Sequence, residues 1–339
     1  MRICTISHSH VALRQQLFFQ GVAKWGHEVL MISPGEWGNL RTSPRYAEVL
    51  YAPDEDMGPR VFGRFELKTC RHMMGENIYQ YHLLGARGLA EEFKPDVLYI
   101  QAEPGSSLAQ EAIMWDVPKR ALFTWENIKF EESARSTLEK YDVVICGNPE
   151  AEALAKPWNP HTVLMLQVGV DTDHFQARPD VERNIDVAYA GRIASEKGLP
   201  YLQRAWPTVK ILDWKDFKEL PWWYSQVKVI VAYSQDVPWW KEQAPNYVVL
   251  EALLCGCRAI TSDTNAMEYW LNNCPGVVMV SGHDQSDDTL RMDRVDRLRE
   301  GIQRALEVEI ENEGRQWVID KFSNQVVAKK LLEVLYEMP

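Results

Sequence analysis

Short apolar runs alternate with segments of helical period from one end of this chain to the other. That alternation limits the fold more than any other feature. Residues 3–7 read as a strand, residues 13–25 carry apolar side chains at helical spacing, and residues 27–33 read as a strand again. Another strand opens after Pro95, and residues 121–124 and Val143–Cys146 are further short apolar runs. The second half repeats the scheme with strands at Ile185–Ala190, 209–212, Val227–Ala232, Arg258–Ser262 and 276–280. Helices are expected after Glu196, around Glu251, and from about Asp293 and Asn324. Strand-then-helix repetition lays down a mostly parallel sheet with helices on both faces, an α/β fold. Such sheets bind ligands beyond the carboxyl ends of their strands.

With 339 residues, of which 46% are hydrophobic, the chain can build two domains with real cores. The boundaries expected are 1–165, 166–322 and a last helical segment, 323–339. No run of about 18 uncharged apolar residues occurs, so no membrane-spanning helix is expected. The start, Met1-Arg2-Ile3-Cys4-Thr5-Ile6-Ser7, goes straight into a strand and lacks a signal-peptide layout. The cysteines at 4, 70, 146, 255, 257 and 274 are scattered, which points to reduced, buried thiols in a cytoplasmic protein. Cys255 and Cys257 have no second pair with which to hold zinc. The net charge of −11 disfavours binding to nucleic acid or anionic lipid over the whole surface. Arg60, Arg64, Lys68 and Arg71 share one side if their stretch is helical. That side is either a solvated face or a docking surface for an acidic acceptor or a membrane.

Residues 242–264 carry the clearest chemistry. They form a polar loop, an apolar helix starting near Tyr247, a stop at Gly256, and the strand Arg258–Ser262. The N–H groups at the start of such a helix suit a phosphate, and Asn246 and Tyr247 lie where it would meet them. Glu251, one turn in, is placed to accept hydrogen bonds from sugar hydroxyls. The pattern is that of a nucleotide-sugar site. This stretch resembles the donor signature of the family 4 retaining glycosyltransferases (glycosyl transferases group 1), which have the GT-B fold. Their pattern is Glu, seven residues, Glu-Ala, a small-residue helix ending in Cys-Gly or Ala-Gly, then a strand ending in Ser-Asp. Three further segments resemble the family in its own order. They are Gly26-His27-Glu28-Val29, Gly169-Val170-Asp171 with Phe175, and Gly191-Arg192 with Glu196-Lys197-Gly198.

The resemblance implies two Rossmann-like, doubly wound domains facing a cleft. The first would lie on the acceptor side and the second on the nucleotide-sugar donor side, with the last helix packing back on the first. Two departures stand out. The first Glu of the pattern falls on Gln243, with Glu242 one residue early, and the usual Gly-Phe-Gly is Ala244-Pro245-Asn246. Between Gly198 and Leu220 there is room for one helix and one strand where the family usually has two such units, so the second domain is expected to be trimmed.

By the same resemblance Arg192 and Lys197 clamp the donor diphosphate, and Gly191 before them belongs to the donor-binding residues. The alternative is two surface cations on a βα loop. Fixed cations aimed at a leaving diphosphate stabilise the charge that develops there. Glu251 takes the ribose, or is simply an acid favoured by the helix dipole. Gln243 still hydrogen-bonds sugar hydroxyls but without the stronger charge-assisted bond. Glu126 falls where the family has a His after a strand. It either bonds the donor sugar or the acceptor hydroxyl, or caps a helix with Asn127. His8 and His10 stand where the family has a glycine-rich loop, and either contacts phosphate or acceptor or is merely exposed. Trp240 is a stacking platform or a loop anchor. Asp171-Thr172-Asp173 resembles the Asp-X-Asp manganese motif of another fold but has no third ligand, so no metal site is expected.

The sequence is thus read as a cytoplasmic transferase with no cofactor. It would move a sugar from a nucleotide-sugar, such as a UDP- or GDP-sugar, to an acceptor hydroxyl with retention and without metal. The acceptor is left open among a glycan, a lipid-linked sugar, a protein or a small molecule, and peripheral membrane contact is allowed. Alternatives are a transferase acting on a modified base of viral DNA, a GT-B nucleotide-sugar epimerase, and a non-catalytic sugar-nucleotide-binding homologue.

Overall fold

The computed structural model describes the chain except for residues 39, 42–47, 52–62, 131, 213–215, 283–289 and 308–311. The chain divides into two compact units, Met1–Gly169 with Asn324–Pro339, and Val170–Ser323.

The first unit runs β1 (Arg2–Ile6), α1 (Leu13–Lys24), β2 (Glu28–Pro34), β3 (Glu48–Tyr51), β4 (Gly63–Cys70), α2 (Ala86–Phe93) and β5 (Val97–Gln101). It continues with α3 (Ser107–Ala112), β6 (Arg120–Thr124), α4 (Glu132–Leu138), β7 (Val143–Cys146), α5 (Pro149–Ala155) and β8 (Thr162–Leu164). The sheet order is β8-β7-β6-β5-β1-β2-β4-β3, and every neighbouring pair is parallel except the edge pair β3/β4. Strands β5 and β7 are buried at every residue, as befits strands covered on both faces, and this is why they read as unbroken apolar runs. The order reverses between β1 and β5. A reversal opens a crevice at the carboxyl ends of the strands beside it.

The stretch containing Arg64 and Lys68 is a strand, β4, rather than a helix, and Arg60 lies outside the described residues. The strand alternates buried Phe65 and Leu67 with Arg64, Glu66 and Lys68. Glu66 pairs with both cations, with Arg64 at 2.9 Å and Lys68 at 2.6 Å, which neutralises much of that face.

The second unit runs β9 (Ile185–Ala190), α6 (Leu199–Ala205), β10 (Lys210–Leu212), α7 (Leu220–Ser225), β11 (Val227–Ala232), α8 (Tyr247–Leu254) and β12 (Arg258–Ser262). Then come α9 (Asn265–Leu271), β13 (Val277–Val280), α10 (Leu290–Glu307) and α11 (Glu313–Phe322). Its five-stranded sheet is parallel throughout, in the order β10-β9-β11-β12-β13, so its reversal lies between β9 and β11. Among the described residues between Gly198 and Leu220 lie α6, β10 and a 3-10 turn at Phe217–Glu219, one helix and one strand, so this domain is the trimmed one the sequence indicated.

The last helix, α12 (Asn324–Tyr336), belongs to the first unit and packs on α1. Leu331, Leu332 and Leu335 are buried on its inner face. Past its end, Lys119 Nζ donates to the Met338 carbonyl at 2.7 Å. All six cysteines are free and buried. Among the described residues no helix is long and apolar enough to cross a membrane.

Candidate functional site

In the second unit the loops after β9 and β11 meet at the sheet reversal. Strand β9 ends at Ala190, and Gly191 turns the chain at φ 141°, a conformation other residues rarely adopt. The Tyr189 hydroxyl donates to the Arg192 carbonyl at 2.6 Å and shapes the turn. Gly198, at φ 60°, closes the loop against the Tyr233 ring, where a Cβ would sit 2.8 Å from a ring carbon. Gln235, just past β11, ties the loop down. Its N–H donates to the Glu196 carbonyl at 2.8 Å and its Nε2 to the Ser195 carbonyl at 2.7 Å. Buried Arg294 of α10 orients that amide by donating to its Oε1 at 2.6 Å.

This bracing brings the expected cations together. The Arg192 guanidinium lies 5.4 Å and the Lys197 ammonium 5.2 Å from the centre of the Trp240 ring, both within cation–π range. Trp240 is held in turn by its indole N–H, which donates to Ser234 Oγ at 3.3 Å. Each cation also has a carboxylate. Arg192 pairs with Glu196 at 2.5 Å and is 55% exposed, whereas Lys197 pairs with Glu242 at 2.5 Å and is only 12% exposed. The two positive and two negative groups leave this cluster near neutral at rest. Glu242, not Gln243, sends its carboxylate to Lys197, and Gln243 beside it is half-buried.

Helix α8 begins as expected. Asn246, at φ 51°, caps it by accepting from the Val248 N–H at 3.2 Å, so the cap already occupies one of the first-turn donors; Tyr247 follows as its first residue. Glu251 departs from the sequence expectation. It is 1% exposed and accepts from the Tyr224 hydroxyl at 3.3 Å, deep in the unit, where the expectation was a carboxylate open to sugar hydroxyls. The other end of α8 is capped by two arginines that sequence reading did not single out. Arg183 donates to the Cys255 carbonyl at 2.5 Å and Arg315 to the Leu254 carbonyl at 2.6 Å, placing positive charge at the negative end of the helix.

In the first unit a second polar cluster forms beyond β5 and β6. Glu126 stands two residues past the end of β6, and Glu103 stands two residues past the end of β5. Thr124 Oγ1 donates to Glu103 Oε2, and the Glu126 N–H donates to the same oxygen at 3.0 Å. The Glu126 carboxylate accepts from the Tyr79 hydroxyl and, at 3.3 Å, from the Ile128 N–H. Burial pushes the Glu103 carboxyl up to about 7, and the nearby Glu126 charge adds to this against the hydrogen bond from Thr124. A cavity of about 330 Å³ opens here, walled by Tyr79, Glu103, Gly105, Glu126, Lys129 and Phe130 among others. Glu103 was missed in the sequence. Its one signal is its offset from β5, the same as that of Glu126 from β6.

The two histidines part company. His8 is half-buried between the Trp37 and Tyr81 rings, at 4.9 and 5.5 Å, and its Nδ1 has no hydrogen-bond partner among the described residues. Burial lowers its pKa to about 4, so it is neutral at pH 7. His10 is fully buried, with Nδ1 2.9 Å from the Ile32 carbonyl, and is a core residue rather than a contact for phosphate or acceptor. Asp171 is occupied in a turn, where its Oδ1 accepts from the N–H groups of Asp173 at 3.1 Å and His174 at 2.9 Å.

No family model matches the chain, and no curated protein matches it in sequence. Solved structures do match it in shape. A sucrose-phosphate synthase from Thermosynechococcus elongatus superposes with a TM-score of 0.71 at 15% identity, covering 99% of this chain and 98% of that one. The Anabaena protein Alr3699/HepE, in complex with UDP and glucose, gives 0.65 at 12% identity over 99% of each chain. An α-glucosyltransferase in complex with UDP and a 13-mer DNA containing an HMU base gives 0.61 at 13% identity, covering 99% of this chain and 100% of that one. The fold is therefore GT-B, built from two Rossmann-like units.

Proposed function

We propose that this protein is a glycosyltransferase that moves a sugar from a nucleotide-sugar donor to an acceptor hydroxyl, retaining the anomeric configuration and using no metal. The observation that carries the proposal is the convergence of Arg192, Lys197 and Trp240 at the sheet reversal of the second unit, where the fold class binds its ligands. Solved structures of similar shape hold UDP or UDP-glucose.

On this reading a donor diphosphate takes the place of the resting carboxylates. Arg192, the more exposed cation, turns from Glu196 to the diphosphate, and Lys197 exchanges Glu242 for it. Glu242 is then released beside the sugar, where its carboxylate can accept from hydroxyls in the role the family pattern gives to the position of Gln243. The bond from the anomeric carbon to the phosphate oxygen breaks, and its electron pair stays on the diphosphate. The acceptor oxygen attacks from the same face, and its proton passes to the leaving phosphate oxygen. Pre-placed cations lower this barrier because the charge on the diphosphate grows in the transition state. The Asn246 cap and the start of α8 complete the phosphate end. Glu126 and His8 of the first unit belong to the acceptor side.

The test is to incubate the protein with UDP-, GDP- and ADP-sugars in excess chelator and follow release of the nucleoside diphosphate. Slow donor hydrolysis by wild type, lost in Arg192→Ala, is expected. Absence of hydrolysis and of binding with every donor would remove the proposal.

A further inference from the structure

The Glu103 cavity raises the question of what the first unit binds. A carboxylate pair serving only the fold would be sealed by its hydrogen-bond partners. Here the cavity of about 330 Å³ opens beside both carboxylates, at the lower end of the range of roughly 300–1,000 Å³ usual for ligand sites. Its rim includes Tyr79 at 40% and Ile128 at 41% exposure, apolar surface left uncovered next to charge. Phe130 and Ala134 add apolar wall. Two carboxylates accept hydrogen bonds and donate none when ionised, so they suit a molecule rich in hydroxyl donors. Flat aromatic and aliphatic walls suit the C–H faces of a sugar ring. Lys129 also lines the cavity, so the ionised site carries two negative charges against one positive. An entering phosphate or carboxylate would meet net repulsion and would have to leave water to do so.

Within the transferase reading, on which the word acceptor rests, we propose that the Glu103–Glu126 cavity is the acceptor subsite and takes an uncharged saccharide, rejecting acceptors that carry phosphate or carboxylate at the bound end. Glu103 and Glu126 accept from neighbouring hydroxyls of the sugar, and Tyr79, anchored on Glu126, lies along its ring. A phosphate-bearing acceptor, a nucleic-acid strand included, is the outcome this site opposes.

Saturation-transfer NMR on the whole chain tests this. The probes are methyl glucoside, methyl mannoside and methyl galactoside as neutral sugars, and glucose phosphate and glucuronate as anionic ones, at pH 8. UDP is the control for the other unit. At least one neutral glycoside should bind, with the anionic probes about tenfold or more weaker. Two variants locate the binding. Glu126→Gln should weaken the neutral glycoside and relax the rejection of the anions. Gly105→Trp, at a residue that lines the cavity, should obstruct it and abolish glycoside binding while UDP still binds; a Cβ on Gly105 meets no atom within 4 Å. Failure of all three glycosides to bind would overturn the proposal. So would anionic probes that bind as tightly as neutral ones, or glycoside binding unaffected by Gly105→Trp. If glycosides behave as stated but UDP does not bind, the acceptor cavity stands and the nucleotide-sugar reading falls.

Discussion

Replacing Glu103 by Gln should make the protein more stable at pH 8 than at pH 5, relative to wild type. The unfolded chain loses this proton near the ordinary value of 4.5, while the folded chain keeps it to about 7. Between those values the folded state binds more protons, so its stability falls as pH rises through 4.5 to 7 and stays reduced above. A gap of about 2.5 units at about 1.36 kcal/mol each sets a ceiling near 3 kcal/mol. Partial exposure of Glu103 lowers this, so ~1–3 kcal/mol is expected. Gln keeps an oxygen for Thr124 Oγ1 and the Glu126 N–H, so neither donor is orphaned. The other charged or titratable groups near this carboxyl are Glu126, Lys129, Tyr81 and Cys146, whose thiol burial keeps neutral. Tyr81 is pushed far above its usual range by burial and stays neutral. The assay is urea unfolding of wild type and variant at both pH values, followed through the transition of the first unit. A difference that does not change with pH, or a wild type that gains on the variant as pH rises, would refute the reasoning.

Arg192→Ala should lower transfer by about 10²-fold with unfolding unchanged, because the side chain is 55% exposed. Lys197→Ala should lower transfer similarly but also cost stability, on the order of 1–3 kcal/mol, by removing one partner of an ion pair whose side chains are 12% and 10% exposed; unfolding curves that match wild type would contradict this. Gly198→Ala should destabilise the second unit by more than about 1 kcal/mol, because a Cβ there collides with the Tyr233 ring at 2.8 Å under a φ of 60°; an unchanged melting temperature would count against the loop geometry. Glu242→Gln should shift the ratio of kcat/KM between two donors that differ only in the sugar, by about 1–2 kcal/mol, whereas Gln243→Glu should leave it nearly unchanged; the opposite result would return the sugar contact to Gln243.

Much of this fold is legible because strands buried on both faces are apolar without interruption, as β7 is throughout and β5 is up to Ile100, while β11 is broken only by Lys228 near its start. Strand β4 is not read that way. Its charges at Arg64 and Lys68 fit a helical spacing of four as well as a strand spacing of two. The alternation of Phe65 and Leu67 with charged residues was the signal that separates the two periods. The donor loop was legible as residue types but not as register. Offsets count reliably along a helix such as α8, but the loop before it is folded by the Val237–Trp240 turn, and this turn decides that Glu242 meets Lys197. Glu251 has the right offset, yet the helix face it occupies points at Tyr224. His8 and His10 are two residues apart on one short turn and differ wholly in environment, because the turn aims His10 at the Ile32 carbonyl. Glu103 belongs to no motif and became visible only when β5 and β6 were seen side by side.

The central claim is that Arg192, Lys197 and Trp240 form a diphosphate site. Calorimetric titration of UDP, GDP and ADP, each against its nucleoside, tests it most directly in wild type and Arg192→Ala with excess chelator present. At least one diphosphate should bind about 100-fold tighter than its nucleoside, and the variant should lose roughly tenfold of that advantage or more. Equal binding of diphosphate and nucleoside, an unaffected variant, or binding that appears only when manganese is restored would contradict the account.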